Sequence, residues 1–359
     1  MITDVNFPII HYPSNLSAYD CGFMHGKSFS KEIKELAKIR KELMLAKNPL
    51  LENHIEQFAK LQWNETSLFD DQLIKEARGI CDGANISIED FVILNNYTDF
   101  RDIQLSDEGC TSISIHRKEK AIGQTWDMHS SAQNYICIIQ RSDSIVFSLV
   151  GCLGMMGINN HEVFFGVNNI NTTDAKPGIL WPALVRKALS SKTTNEALHL
   201  VKKSKVTSGH NYLIGDKESS LHIEKTPTKE DIIDTLEKDD HGFIYHTNHC
   251  LGENVKEVED KNSISSTTHN RESILLDFEK NSPINTSLEL IELLKDHTGH
   301  PKSICSHFQS GAQDPSQTCG GGVYNYSSKE FHVWRGCPKE SNYIAYDFQL
   351  NNVGEFCKI

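Results

Sequence analysis

The chain has 359 residues, 38% of them hydrophobic, and its 36 Lys and Arg against 48 Asp and Glu leave a formal charge of −12. A chain of this length buries roughly 75% of the surface that its unfolded form exposes, so its core can be stable without a metal ion or disulfide bonds. The excess of acidic residues argues against a nucleic-acid partner. No apolar run reaches the ~20 residues of a membrane helix, and the first residues lack a basic segment followed by an apolar one. We therefore expect no membrane partner and a cytoplasmic location.

The first hundred residues are predicted to be helical. Apolar residues recur at intervals of two to four within 33–43 and of three within 55–61, which is the spacing of one helix face. Ser87 followed by Asp90 has the pattern of a capping box, in which each side chain bonds the backbone of the other residue. This box opens a helix that is expected to run through Asn96.

From residue 110 onward the pattern changes to strands, with helices in separate blocks. Alternating or β-rich segments predict strands at 111–115, 121–128, 135–140, 145–151, 163–169, 211–215, 220–224, 242–249, 323–327, 331–335 and 343–348. Helical periodicity predicts helices at 179–190, 194–203, 271–278 and 287–295. Thr286 and Glu289 form a capping pair for the last helix, and Gly299 is expected to stop it. The charged segment 226–261 is expected to form loops around the strand 242–249. The grouping of strands and helices into separate blocks favours an α+β layered architecture over alternating βαβ units.

The local feature with the most chemical content is the run DEGCTSISI at 107–115. Cys110 follows a glycine directly and stands at the start of an alternating strand. Taken alone it is interpreted as a core cysteine, because free Cys is among the most buried residue types. The other motifs of the chain change that interpretation.

Several motifs follow one another in a characteristic order: YDCGFMHGKSF, EGCTS, GQTWDMH, GVNN with PGILWPALVRKAL, GHNYLIGD, YHTNHC, SICSHFQ and WRGCP. In this order and spacing they resemble the penicillin acyltransferase family, the acyl-coenzyme A:aminopenicillanic-acid acyltransferases and their amide-hydrolase relatives among the N-terminal-nucleophile (Ntn) hydrolases. The resemblance implies a four-layer αββα sandwich, in which two antiparallel sheets lie between helical layers.

The resemblance also implies an inactive precursor that cuts its own Gly109–Cys110 bond through an N-to-S acyl shift. Residues 1–109 would form a mainly helical chain and residues 110–359 the chain with the nucleophile, and both would remain associated as one compact domain. The freed α-amine of Cys110 has an ordinary pKa of about 7.7 to 8.0, so it can act as the base for its own thiol.

Three further residues receive roles from the resemblance. Asp127 would position the amine of Cys110, Asn248 would donate to the oxyanion hole, and Asn168 would supply another polar contact. The expected substrate is a small acyl amide or acyl thioester, whose acyl group passes through Cys110 to water or an amine. No cofactor is expected, although acyl-coenzyme A can serve as a substrate. Without the resemblance, Asp127 would be an ordinary strand-end carboxylate and Asn168 part of a turn.

One departure from the family concerns an arginine expected near Cys305 and Ser306, where SICSHFQ has none. Either Arg271 or Arg335 substitutes for it, or the substrate lacks a carboxylate.

A metal site is not expected. His246 and His249 are three apart on a predicted strand and would point to opposite faces. The cysteines at 305, 319, 337 and 357 are 14, 18 and 20 residues apart, which does not fit paired ligands.

Two alternatives remain open at this point. In the first, Cys110 stays within an uncut chain and a histidine such as His129 or His249 is its base. In the second, the protein is a non-catalytic, small-molecule-binding relative of the family.

Overall fold

Two β-sheets pack face to face between helices. The computed structural model describes residues 8–97, 99, 109–264, 267–307, 316–337, 343–346 and 352–356. Predictions on residues 107, 108, 308, 309, 338, 347, 348 and 357 lie outside these ranges.

The amino-terminal part is helical, as predicted. Its helices are α1 (Ala18–Ser28), α2 (Ser30–Lys47), α3 (Ile55–Phe69), α4 (Asp71–Ala84) and α5 (Ile88–Asn95). The capping box of α5 is confirmed, because the Ser87 hydroxyl accepts from the Asp90 amide while the Asp90 carboxylate accepts from the Ser87 amide. None of the helices in the described ranges combines the length and apolar character needed to cross a bilayer.

The strands, in chain order, are β1 (Ile9–His11), β2 (Ser112–His116), β3 (Lys120–His129), β4 (Ile136–Gln140), β5 (Ser144–Leu149), β6 (Met156–Asn159), β7 (Phe164–Asn169), β8 (His210–Gly215), β9 (Ser220–Lys225), β10 (Glu230–Leu236), β11 (Gly242–His246), β12 (Ser316–Asn325), β13 (Glu330–Arg335), β14 (Tyr343–Tyr346) and β15 (Asn352–Phe356). The first sheet has the order β1-β4-β5-β6-β7-β8-β9-β10, and the second has the order β11-β2-β3-β12-β13-β14-β15. Neighbouring strands are antiparallel, except that β1 pairs with β4 in parallel.

The remaining helices are α6 (Trp181–Ala188), α7 (Thr194–Lys203), α8 (Thr268–Asn281) and α9 (Ser287–Leu294). Helices α6 and α7 contact β7, β8 and β9 of the first sheet. On the second sheet, Ile113 and Ile115 of β2 belong to one apolar cluster with residues of α8 and α9. The order of layers is therefore helix, sheet, sheet, helix, which confirms the αββα sandwich.

The period-two pattern of β2 has a particular origin. Its isoleucines face the helices, whereas the Ser112 hydroxyl donates to Asn168 Oδ1 (2.6 Å) and the Ser114 hydroxyl donates to Ser220 Oγ (2.8 Å), both on the first sheet. Every residue of β2 is buried. The alternation thus separates a side of β2 that faces the helices from a side that faces the first sheet. Contacts on both sides fix this strand, which begins shortly after Cys110.

Three sequence predictions are wrong in detail. Residues 230–236 form the edge strand β10 on β9 rather than a loop, and their polar pattern arises because much of an edge strand faces solvent. The strand β6 was missed within a glycine-rich run, where Gly157 allows a close approach: a Cβ there would lie 2.4 Å from the Ile145 carbonyl oxygen. Helix α9 ends at Leu294, and Gly299 lies in a later turn with a φ of 78°.

Candidate active site

Cys110 lies two residues before β2 and lines a small pocket of about 30 Å³. The neighbouring Thr111 amide donates to the Thr125 hydroxyl (3.0 Å), and the Thr125 amide donates to the Thr111 carbonyl (2.9 Å), so β3 fixes the start of the strand. Cys110 itself is only 7% exposed. The other lining residues are Gly109, Trp126, Asp127, Met128, Val167, Asn169, Trp181, His210 and Asn248.

Asn248 lies directly against the backbone of Cys110. Its side-chain Oδ1 accepts a hydrogen bond of 2.7 Å from the Cys110 amide, and its Nδ2 donates to the Asn169 carbonyl (2.8 Å). The Asn248 backbone amide donates to the Thr268 hydroxyl at the start of α8 (2.8 Å), which holds the segment after β11 in place. The structure thus brings the predicted oxyanion donor to the nucleophile, and its role there stays a prediction.

Arg271 of α8 contacts the backbone of Cys110 on its carbonyl side. Its Nη1 donates to the Cys110 carbonyl (2.6 Å) and to the Thr111 hydroxyl (2.9 Å), and its Nη2 donates to Asn248 Oδ1 (2.7 Å). The side chain is fully buried. Burial lowers the pKa of Arg271, an effect opposed by Asp127 and then by Cys110, yet a guanidinium remains charged at neutral pH.

Of the two arginines that the sequence suggested as substitutes, the structure brings Arg271 to the nucleophile. Arg335 lies on β13 opposite Gly320 and is not among the described residues that line the pocket. A sequence signal for Arg271 existed: it shares one helical stripe with Ile274 and Leu275, three and four residues later, so its position is that of a buried residue.

Asp127 of β3 approaches Gly109. Its Oδ1 accepts from the Thr318 hydroxyl of β12 (2.7 Å). A Cβ added at Gly109 would lie 3.2 Å from Asp127 Oδ2 and 2.6 Å from Arg271 Nη2. Glycine is therefore needed here for close approach to the surrounding charged groups, and the φ of Gly109 is not among the left-handed ones.

Asn168 of β7 completes the polar groups around Cys110. Its Nδ2 donates to the Cys110 carbonyl (3.1 Å), and its Oδ1 accepts from Ser112 Oγ (2.6 Å) and from Asn211 Nδ2 (3.0 Å). All the residues predicted for the site, Gly109, Cys110, Asp127, Asn168 and Asn248, therefore lie together around the backbone of Gly109 and Cys110.

The pocket also contains His210, which the sequence analysis missed. Burial lowers the pKa of His210 to about 4, so its imidazole is neutral at pH 7. The histidines named as alternative bases are not among the described lining residues. His129 contacts the Ser131 hydroxyl (2.8 Å), and His249 contacts the Thr268 hydroxyl (3.0 Å). Burial, followed by the neighbouring His269, lowers the pKa of His249 to about 3.

The histidine pair considered for a metal contacts different partners. His246 Nε2 lies 2.7 Å from Glu224 Oε1, whereas His249 contacts Thr268. Of the four cysteines considered together, Cys305 and Cys337 lie close to each other, with 3.7 Å between their sulfurs. The Cys319 thiol instead contacts the carbonyls of Met128 and His129, each at 3.6 Å.

Comparisons with known proteins identify the family. A sequence profile described as "Acyl-coenzyme A:6-aminopenicillanic acid acyl-transferase" matches residues 115–326. The acyl-coenzyme A:6-aminopenicillanic-acid-acyltransferase 40 kDa form of Emericella nidulans is 25% identical over 304 residues, which cover 81% of this chain and 77% of the relative.

Two solved structures are also similar. A mutant of the conjugated bile acid hydrolase from Clostridium perfringens has a TM-score of 0.42 and 12% identity, with 70% of this chain and 97% of that chain covered. The penicillin V acylase from Agrobacterium tumefaciens has a TM-score of 0.38 and 11% identity, with 67% and 86% covered. Because the profile matches more than half of its length, the chain belongs to the acyl-coenzyme A:6-aminopenicillanic acid acyl-transferase family.

Proposed function

We propose that the protein is a self-processing cysteine amidohydrolase or acyltransferase. It cuts its own Gly109–Cys110 bond and then transfers the acyl group of a small acyl amide or thioester through Cys110. One observation carries this proposal: Asn248, Asn168, Arg271 and Asp127 surround the backbone of Gly109 and Cys110.

In the processing step, the Cys110 sulfur attacks the carbonyl carbon of Gly109. The carbon–nitrogen bond breaks, the nitrogen takes up the thiol proton, and a thioester joins Gly109 to the sulfur. Water then hydrolyses the thioester, which releases the Gly109 carboxylate and the free thiol. The hydrogen bonds of the Cys110 amide to Asn248 and of its carbonyl to Arg271 and Asn168 fix the backbone of the attacking residue.

In the turnover step, the new amine of Cys110 is the base for the thiol. Asp127 lies beside Gly109 and is therefore placed to orient that amine after cleavage. The amide Nδ2 of Asn248 would turn from the Asn169 carbonyl to the substrate oxyanion, where one donor is worth about 2.7 to 4 kcal/mol. Trp126, Met128, Val167 and Trp181 give the pocket an apolar lining, which suits an apolar acyl group.

After cleavage the two fragments would remain together, because they share one core. Residues of α1 to α5 and of both sheets belong to the same apolar cluster. The first fragment contributes β1 to the first sheet beside β4, and Glu76 of α4 forms a buried bidentate ion pair with Arg186 of α6, both bonds 3.0 Å long.

The acyl donor follows the chemistry of the relatives' names. The Emericella protein is named for acyl-coenzyme A and 6-aminopenicillanic acid, which supports an acyl thioester as donor. An acyl amide as an alternative donor and the lack of a cofactor are further parts of the proposal. A cytoplasmic location, which the sequence led us to expect, is part of this proposal.

The experiment compares the natural chain with Cys110→Ala and with Cys81→Ala, a buried helical cysteine remote from the pocket. Mass spectrometry of the natural chain and of Cys81→Ala should show fragments of 109 and 250 residues, since 359 − 109 = 250. Cys110→Ala should stay whole and form no hydroxamate when acyl amides and thioesters are offered with hydroxylamine. Cys110→Ser should slow both steps.

The outcomes separate the alternatives. An uncut natural chain with full activity would favour an internal Cys/His pair, and His129→Ala would then abolish that activity. Retained ligand binding without any turnover would favour a binding protein. Turnover by Cys110→Ala would exclude Cys110 as the nucleophile.

A further inference from the structure

Two cysteines and two histidines from three separate stretches of chain meet beside the second sheet. His297 lies in the turn after α9, Cys305 and His307 lie in the segment before β12, and Cys337 follows β13. Their ligand atoms all lie within 4.8 Å of one another. Gly336, with a φ of 79°, turns the chain after β13, which directs Cys337 back towards Cys305.

Four of the six separations within this cluster are close to those of a tetrahedral site. The two sulfurs are 3.7 Å apart, Cys337 Sγ is 3.4 Å from His297 Nε2, and Cys305 Sγ is 3.6 Å from His307 Nε2. The two Nε2 atoms are 3.0 Å apart. Bond lengths of about 2.3 Å to sulfur and 2.0 to 2.1 Å to nitrogen around a tetrahedral ion give edges of about 3.8, 3.6 and 3.3 Å for the three kinds of pair.

We propose that His297, Cys305, His307 and Cys337 bind one Zn²⁺ ion in a closed Cys₂His₂ site. Two sulfur and two imidazole ligands in tetrahedral positions are the donor set that zinc prefers. A disulfide requires about 2.05 Å between its sulfurs, and the separation here is that of two ligands sharing an ion.

The protonation of the cluster suits a cation. His297 Nδ1 lies 2.6 Å from the Lys295 carbonyl oxygen, which keeps the proton on Nδ1 and leaves the Nε2 lone pair facing the cluster. Cysteine binds zinc as a thiolate, so the binding of zinc would release the two thiol protons, and two thiolates balance the charge of the ion.

The ion would act at a distance on the pocket. Between the ligands Cys305 and His307 lies Ser306, whose amide donates to the Thr318 hydroxyl (2.8 Å) and whose carbonyl accepts from the Thr318 amide (2.8 Å). The Thr318 hydroxyl in turn donates to Asp127 Oδ1 (2.7 Å). The zinc site therefore fixes the backbone that positions Asp127. All four tetrahedral positions of the ion are occupied by protein ligands.

The expectation of no metal came from considering histidines only with histidines and cysteines only with cysteines. The ligands follow the spacing His297-x₇-Cys305-x-His307-x₂₉-Cys337, which has no short pair of cysteines. The fourth ligand comes from another turn of the second sheet, which no local spacing reveals.

The test measures zinc in the purified full-length chain by inductively coupled plasma mass spectrometry. We expect about one zinc per chain in the natural protein and at least a fivefold loss in Cys305→Ser and Cys337→Ser. Cys319→Ser is the matched control, because this buried cysteine points away from the cluster, and it should keep its zinc. Zinc retained in both ligand variants would overturn the proposal.

A second measurement avoids dependence on folding of the variants. Natural protein produced with cobalt in place of zinc should show the visible bands of tetrahedral Co²⁺ and thiolate-to-cobalt charge transfer. A natural chain that carries no metal after growth with zinc, or one in which peptide mapping finds a Cys305–Cys337 disulfide, would contradict a zinc site.

Discussion

The guanidinium of Arg271 donates a hydrogen bond of 2.6 Å to the carbonyl oxygen of Cys110, from a helix that begins 158 residues further along the chain at Thr268 (268 − 110 = 158). The same side chain donates to Asn248 Oδ1, which accepts from the Cys110 amide. Arg271 thus connects both ends of the nucleophile's backbone through one buried cation. Removing it leaves a buried carbonyl and a buried amide oxygen with fewer donors, which is costly.

For Arg271→Met we expect self-cleavage and kcat to fall at least 100-fold. Arg271→Lys should recover little, since one ammonium cannot reproduce the planar set of donors. The cleaved fraction is followed over time by mass spectrometry, and kcat is measured on the cleaved protein. Arg335→Met is the control and should behave as the natural chain. Cleavage of Arg271→Met at the natural rate would show that Arg271 is not needed at the site.

Gly109→Ala separates processing from turnover. The added Cβ would lie 2.6 Å from Arg271 Nη2, so either the scissile peptide or the guanidinium beside it must shift, and cleavage should slow at least 10-fold. Once the bond is cut, residue 109 is no longer attached to the nucleophile. Activity per cleaved molecule should therefore equal that of the natural enzyme, measured after normalisation to the cleaved fraction. A reduced normalised activity would mean that residue 109 also shapes the pocket.

Asn248→Asp distinguishes the two ends of the Asn248 amide. Aspartate keeps an oxygen that accepts from Cys110 and Arg271 but removes the Nδ2 donor. We expect self-cleavage to be slowed much less than turnover, whose kcat should drop about 100- to 1000-fold through the lost oxyanion donor. Equal losses in both steps would instead indicate a purely structural role, and single-turnover kinetics of the cleaved variant would measure the difference.

The Glu76–Arg186 ion pair should be important for stability. Both side chains are almost fully buried, so Glu76→Gln leaves a buried guanidinium without its charge partner, and we expect a loss of about 3 to 5 kcal/mol in the free energy of unfolding. Glu35→Gln, which breaks an exposed pair with Lys31, should cost less than about 1 kcal/mol. Urea unfolding of both variants compares the two values. Similar losses in both would refute the special role of the buried pair.

Stability should also fall in acid through His25. Its Nε2 accepts from the Gly151 amide (2.9 Å), and burial lowers the pKa of His25 to about 4, against about 6.5 in an unfolded chain. Below about pH 6.5 His25 binds a proton in the unfolded state, whereas His25 of the folded state stays neutral down to about pH 4. The stability present above that pH is thus lost as pH falls towards 4, at up to about 1.4 kcal/mol per pH unit.

The check on this pH dependence is His25→Gln, whose amide can still accept from Gly151. It should show a flatter dependence of the unfolding free energy on pH between about 7 and about 4, whereas exposed His161→Gln should keep the natural slope. A natural slope in His25→Gln would assign the acid sensitivity to other groups.

Local patterns predicted the elements whose cause is local. The helix 194–203 and the capping boxes of α5 and α9 match the structure, because caps and helical stripes are set by residues three or four apart. The motifs also predicted which polar residues meet at Cys110. They could not show that Arg271 completes the set, since that depends on how α8 docks on the second sheet.

Features that depend on contacts between residues far apart in the sequence were also missed, because local patterns do not contain them. The strand β10 lacks an apolar pattern because it is held by backbone hydrogen bonds to β9 at the sheet edge. Leu61 follows the predicted apolar stripe of α3 yet is 40% exposed, whereas Arg40 of α2 is buried against the Leu94 carbonyl. Hydropathy alone does not reveal a buried cation whose partner comes from another helix.

The parallel pairing of β1 with β4 has a consequence for how the molecule could come apart. Before the cut, β1 returns to its neighbour as part of one chain, so refolding is unimolecular and independent of concentration. After the cut, β1 would belong to a separate polypeptide. Reassembly would then be bimolecular and would become slower in dilute solution. Self-cleavage would thereby make recovery from complete unfolding depend on protein concentration.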